Sequence, residues 1–84
     1  MYEIFILKRA IKEMGSLPED AYRRIRDEIL SLKFNPRPKG CKKLSGRDGW
    51  RIRVGDYRII YEIDDKNKNV TVLHIGHRKY VYKQ

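Results

Sequence analysis

A single cysteine, a single tryptophan, three prolines and no long apolar run set the first limits on this 84-residue chain. Cys41 has no second thiol to pair with, so no internal disulfide can hold the fold, which suits a reducing compartment. A lone cysteine in a loop is read as incidental rather than as a nucleophile. No stretch is long and apolar enough for a membrane span or a signal-peptide core. A cytoplasmic protein with no membrane partner is therefore expected. The few Cys and His residues lack zinc-type spacing, and no Gly-rich phosphate loop or internal repeat is present. Neither a metal nor an organic cofactor is expected. At this length, residues 1–84 read as one domain with a modest core, so any sizeable partner must bind on the surface.

Acidic residues are scarce in one part of the chain. Residues 1–32 hold six basic and six acidic side chains, whereas residues 33–58 hold nine basic residues against only Asp48 and Asp56. The net charge of +9 therefore resides mainly in the middle third. With a pI near 9.9, this asymmetry is the electrostatic footprint of a nucleic-acid binder rather than of an evenly solubilised surface.

What is present there is a patterned segment. Trp50-Arg51-Ile52-Arg53-Val54-Gly55-Asp56-Tyr57-Arg58-Ile59-Ile60-Tyr61 alternates around Gly-Asp, a pair that favours a two-residue hairpin turn. With Gly55 and Asp56 as the loop, Val54 faces Tyr57, Arg53 faces Arg58 and Ile52 faces Ile59. Alternation puts Trp50, Ile52, Val54, Tyr57, Ile59 and Tyr61 on one apolar face. Arg51, Arg53 and Arg58 share the other face with Ile60. Like charges directly across a strand pair destabilise it, so folding alone gives no reason for this arrangement. A bound polyanion would.

The rest of the chain supplies elements to cover the apolar face. Tyr2 to Leu7 is an apolar run suited to a buried strand, and Lys8 to Met14 forms one short helix ended by Gly15 and Ser16. Ser16-Leu17-Pro18-Glu19-Asp20 is a helix start, with Ser16 as cap and two acids in the first turn. Tyr22, Ile25, Ile29 and Leu32 make its apolar stripe, with Arg23, Arg24, Asp27 and Glu28 mostly turned away. Asn35-Pro36 stops the helix. Residues 35–49 read as a basic loop, and Val70 to Ile75 as a third strand after a polar turn. The expected fold is α+β: an N-terminal strand, a two-helix hairpin, then a three-stranded antiparallel meander. The helices pack on one face of a four-stranded, mainly antiparallel sheet. The arginine face is expected to remain open to solvent.

The segment from Trp50 to Asp64, followed by Val70-Thr-Val-Leu-His-Ile-Gly-His-Arg-Lys-Tyr-Val-Tyr82, resembles the RelE family of bacterial and archaeal toxins. These belong to the RelE/ParE group of toxin–antitoxin systems. The likeness runs over nearly the whole chain, including the Lys42-Lys43-Leu44-Ser45-Gly46 segment. It implies a ribosome-dependent endoribonuclease that cleaves mRNA in the A site through 2′-hydroxyl attack, without a metal. By the same resemblance the site residues are Arg51, Arg53, Arg58, Arg78 and Tyr82, with Tyr80 able to take the place of Tyr82. Arg58 and Arg78 suit bidentate clamping of phosphate, and a tyrosine can stack on an mRNA base. Lys39, Lys42, Lys43 and Arg47 are the expected contacts to RNA and ribosome. Several relatives carry Lys at the positions of Arg51 and Arg53, where it could act as a base. Arginine cannot, so His77 becomes the nearest candidate for proton transfer, and His74 is placed by parity on the same strand face.

Partners follow from the same resemblance. They are the ribosome with its mRNA, and a cognate RelB-like antitoxin whose acidic or amphipathic segment covers the basic face. Promoter DNA would be bound only through the antitoxin, since nothing in this chain resembles a recognition helix. Two alternatives stay open. One is a ParE-like inhibitor of DNA gyrase with the same fold and no nuclease activity. The other is a module that only binds nucleic acid through residues 33–58.

Overall fold

Gly55 has φ +60°, the left-handed value that a two-residue hairpin turn needs at its first central position. It joins β3 (Trp50–Val54) to β4 (Tyr57–Asp64). In the computed structural model, which describes residues 1–77, their register is the one the alternation predicts. Val54 lies opposite Tyr57, Arg53 opposite Arg58, and Ile52 opposite Ile59. Arg78, Tyr80 and Tyr82 lie outside the described residues. β5 (Asn69–His77) completes the antiparallel meander, with a shift in register between Ile60 and Tyr61.

Two further strands extend the sheet. β1 (Glu3–Ile6) runs parallel to the free edge of β5, with Ile4 beside Val70 and Ile6 beside Val72. Parallel neighbours need a crossover connection, and the helices lie in it. β2 (Lys42–Lys43) pairs antiparallel with β3. The sheet is thus mixed and five-stranded, in the order β1-β5-β4-β3-β2, where four strands were expected. The fifth lies inside the segment read as a loop, and two residues are too few to show any periodicity. β1 is an edge strand rather than a buried one: Ile4 and Ile6 turn inward while Glu3 and Phe5 stay exposed.

The helices are α1 (Lys8–Gly15) and α2 (Glu19–Ser31). Glu19 and Asp20 occupy the first turn of α2, where carboxylates meet the positive end of the helix dipole. Ser16 is not its cap, contrary to expectation. Pro18 holds that position without a side-chain bond, and Ser16 Oγ donates instead to the Glu13 carbonyl at 2.9 Å, closing α1. Ala21, Ile25, Ile29 and Leu32 are buried. Their spacing keeps them on one helical face, and Tyr22, one residue off that line, is exposed. They meet Ala10 and Met14 of α1 and the apolar face of the sheet: Ile52, Val54, Ile59, Tyr61, Val70, Val72 and Ile75. Both helices therefore lie on one side of the sheet, and the arginine face lies on the other.

Tyr61 links the core to the basic loop. Its ring is fully buried, and its hydroxyl donates to the Pro36 carbonyl at 2.8 Å. Burial, with Cys41 nearby, pushes the phenol pKa upward, so it stays a neutral donor. Among the described residues, no helix is long and apolar enough to cross a membrane.

Candidate functional site

Strand pairing alone assembles the site. On the face away from the helices, Lys42, Arg51, Ile60 and His74 form one row across β2, β3, β4 and β5. Arg53, Arg58 and Gly76 form the next row. Directly paired side chains on one face stand about 5 Å apart at Cβ, as Arg53 and Arg58 do, and Arg51 lies on the same face one row away.

Their exposures differ. Arg53 is exposed and Arg51 half-buried, whereas Arg58 retains only 6% of its accessible surface. Ile60, on the same face, retains 5%. The expectation of a uniformly open arginine face is thus corrected. β4 is the central strand, flanked by β3 and β5, and from Arg58 to Tyr61 its side chains are buried on both faces. A guanidinium cannot shed its proton to escape burial. Arg58 therefore holds a permanent positive charge where the local dielectric is low and attraction for an anion is strong.

Two clefts border this face. One, of about 370 Å³, is lined by Lys42, Lys43, Leu44, Ser45, Arg51, Arg53 and Arg58. The other, of about 390 Å³, is lined by Glu28, Lys39, Gly40, Lys42, Arg51, Ile52 and Arg53. Lys42, Arg51 and Arg53 border both, so the two clefts form a basic track over the β2–β3 edge. The structure thus gathers Arg51, Arg53, Arg58, Lys39, Lys42 and Lys43. Arg47 is exposed and lines neither cleft. Lys43 is steadied by Trp50, with its Nζ 5.5 Å from the ring centre, and Arg37 stacks on the same ring at 5.1 Å.

The histidines do not share a face. His77 pairs with Tyr57 on the helix side of the sheet, and the two rings meet edge-on with centroids 5.7 Å apart. His74 pairs with Ile60 on the arginine side. Cys41 packs against the core cluster. Among the described residues, no group of three or more His, Cys, Asp or Glu side chains is arranged to hold a metal ion.

An anchor that the sequence did not announce holds the basic loop in place. Asp65, in the β4–β5 turn, receives both terminal nitrogens of Arg37, at 3.2 and 2.7 Å, and the Tyr2 hydroxyl at 2.6 Å. The Arg37 hydrogen bonds, helped by Tyr2, pull the Asp65 pKa down from 3.8 to about 2. A depressed carboxylate pKa contributes stability that is present above the unfolded value and lost as pH falls toward the folded one. Asp65→Asn should therefore lower the melting temperature at neutral pH and shrink the loss of stability between about pH 4 and pH 2. Melting curves across that range check this, and parallel wild-type and variant curves would refute it.

The family model for the ParE toxin of type II toxin–antitoxin systems (parDE) matches residues 4–82. A RelE1 toxin of Methanocaldococcus jannaschii is similar at 30% identity, over 98% of this chain and 96% of its own. The toxin–antitoxin RelE–RelB complex of Pyrococcus horikoshii contains a chain that superposes with a TM-score of 0.83 at 35% identity. That match covers 92% of this chain and 94% of the other. The RelBE2 complex of Mycobacterium tuberculosis gives 0.81 at 25% identity, covering 92% and 98%. By matched length, relatives and fold, this chain belongs to the RelE/ParE family of toxins from type II toxin–antitoxin systems.

Proposed function

We propose that this toxin is a ribosome-dependent endoribonuclease that cuts mRNA in the A site and so inhibits translation. The observation that carries the proposal is the placement of Arg51, Arg53 and Arg58 on one face, around one cleft. Cleavage by this route has the ribose 2′-oxygen attack the neighbouring phosphorus while the bond to the 5′-oxygen breaks. The products are a 2′,3′-cyclic phosphate and a 5′-hydroxyl. Charge grows on the phosphoryl oxygens, and fixed cations already aimed at them lower the barrier without reorganising.

In this reading Arg58 and Arg78 clamp the phosphoryl oxygens, since a planar guanidinium matches two of them at once. Arg51 and Arg53 hold the scissile link from β3. Tyr82, or Tyr80 in its stead, stacks on a base and orients the 2′-hydroxyl. Lys39, Lys42, Lys43 and Arg47 contact the RNA backbone and the ribosome. The RelE chains of solved complexes occur with RelB. A cognate RelB-like antitoxin, laying an acidic or amphipathic segment over the basic face, is the expected partner here.

A second reading has one specific support: the matching family model carries the ParE name. In that case the toxin would inhibit DNA gyrase and cut nothing. Induced expression separates the two. The ribonuclease reading expects growth arrest with primer-extension stops inside translated codons, relieved by co-expressing the antitoxin. Intact transcripts accompanied by DNA breaks would favour the gyrase reading.

A further inference from the structure

Glu13, in the last turn of α1, reaches the edge of β5 just past the end of β1. Pairing with the N-terminal strand stops where the Leu7 N–H meets the Val72 carbonyl at 3.0 Å. Beyond that point Glu13 Oε1 accepts the edge N–H of Ile75 at 2.9 Å. Its other oxygen, Oε2, lies 2.6 Å from His74 Nδ1. The approach is off the line of a hydrogen bond, but a carboxylate oxygen that close favours the tautomer with its proton on Nδ1. With the proton on Nδ1, Nε2 is the acceptor of the neutral ring. Both ring nitrogens are buried, and neither has a hydrogen-bond partner among the described residues.

A merely structural hook would stop at the Ile75 bond, which already ties α1 to β5. The second oxygen instead orients an imidazole, and the register puts that imidazole on the face of Arg51 and Arg58. His74 shares the Arg51–Ile60 row, and Gly76 takes the place beside Arg58 without contributing a side chain. Two ionisable groups near the ring are Glu13, itself 3.4 Å from Arg9 Nε, and Arg58, diagonally across on β4. With 12% of the side chain exposed, the ring is largely shielded from competing water.

We propose that His74 is the proton acceptor that the arginines cannot be, and that Glu13 is its positioning residue. The inference rests on the ribonuclease reading above. As the 2′-oxygen attacks phosphorus, its O–H bond breaks and the proton passes to His74 Nε2. The P–O5′ bond then breaks, and the departing 5′-oxygen takes a proton from the imidazolium or from water. No other reactant is needed. The assignment moves proton transfer from His77, which faces the helices, to the histidine on the arginine side.

The test is single-turnover cleavage of mRNA on programmed ribosomes by the intact toxin, followed from about pH 5 to 9. Wild type should show a rate that rises with pH to a plateau. His74→Gln should lower the plateau by roughly 10²-fold or more and flatten the rise. Glu13→Gln, whose amide oxygen can still accept the Ile75 N–H, should lower the plateau rate and change the pH profile while the toxin concentration that gives half-maximal rate stays unchanged. Thermal melts identify any variant that fails to fold. If His74→Gln is one of these, Glu13→Gln decides, and an unchanged plateau rate and pH profile for it overturns the proposal. A folded His74→Gln with the wild-type profile overturns it as well. Either result with an active wild type leaves the ribonuclease reading standing, whereas a wild type that cuts nothing ends both.

Discussion

Arg58→Ala is expected to lower mRNA cleavage by roughly 10²–10³-fold, the usual cost of removing one preorganised donor to a developing oxyanion. Arg58 is the most deeply buried of the three arginines and sits on the central strand, between Arg53 and Gly76. Its charge acts from a site that water screens poorly, so no exposed lysine nearby can replace it. The apolar core lies on the opposite face of the sheet, formed by residues such as Ile59 and Tyr61. The melting temperature should therefore stay within about 5 °C of wild type, the shift that ~1 kcal/mol produces in a domain of this size. Arg58→Lys keeps the charge but loses the planar fork, and should recover only part of the rate. A folded Arg58→Ala toxin that cleaves at the wild-type rate would refute the assignment.

Removing Arg51 and Arg53 together should weaken binding of single-stranded RNA about 100-fold, taking each charge-assisted contact at the low end of its range, ~1.5 kcal/mol. The dependence on salt is the sharper reading. Each phosphate contact on a single strand contributes about 0.7 to the slope of log affinity against log salt, so the double variant should lose about 1.4. The same change should leave the protein slightly more stable, because Arg53 and Arg58 are like charges in direct register. A tighter fold with weaker binding is what a face built for a ligand predicts. An unchanged slope would place the RNA elsewhere.

Much of this arrangement was legible in the residues themselves. The hairpin could be read because Gly55-Asp56 sets the turn and strict alternation sets the register, so the shared face of Arg51, Arg53 and Arg58 followed directly. The α2 stripe was legible for the same reason of period, apart from Tyr22. What stayed hidden depends on contacts between distant parts of the chain. The burial of Arg58 depends on what packs around β4, a property of the assembled fold rather than of local sequence. Nothing in the local sequence marks Glu13, which accepts a bond from Ile75, 62 residues away. The Arg37–Asp65–Tyr2 anchor likewise draws on three separate segments. The Ile60/Tyr61 register shift also lies in the pairing, and counting parity along β5 cannot see it. His74 and His77 are an odd number of residues apart within a regular stretch of β5, so alternation itself puts them on two faces, and expecting one face for both was a miscount.

The central claim is that guanidinium groups from neighbouring strands hold a ribose–phosphate link while its own 2′-oxygen attacks. Mapping the ends of mRNA cut by the purified toxin on programmed ribosomes tests it most directly. One substrate would be natural, and the other would carry a 2′-O-methyl group at the cut position. The account predicts a 2′,3′-cyclic phosphate and a 5′-hydroxyl from the first and no product from the second. Equal cutting of both substrates, or no cutting of either, would contradict it.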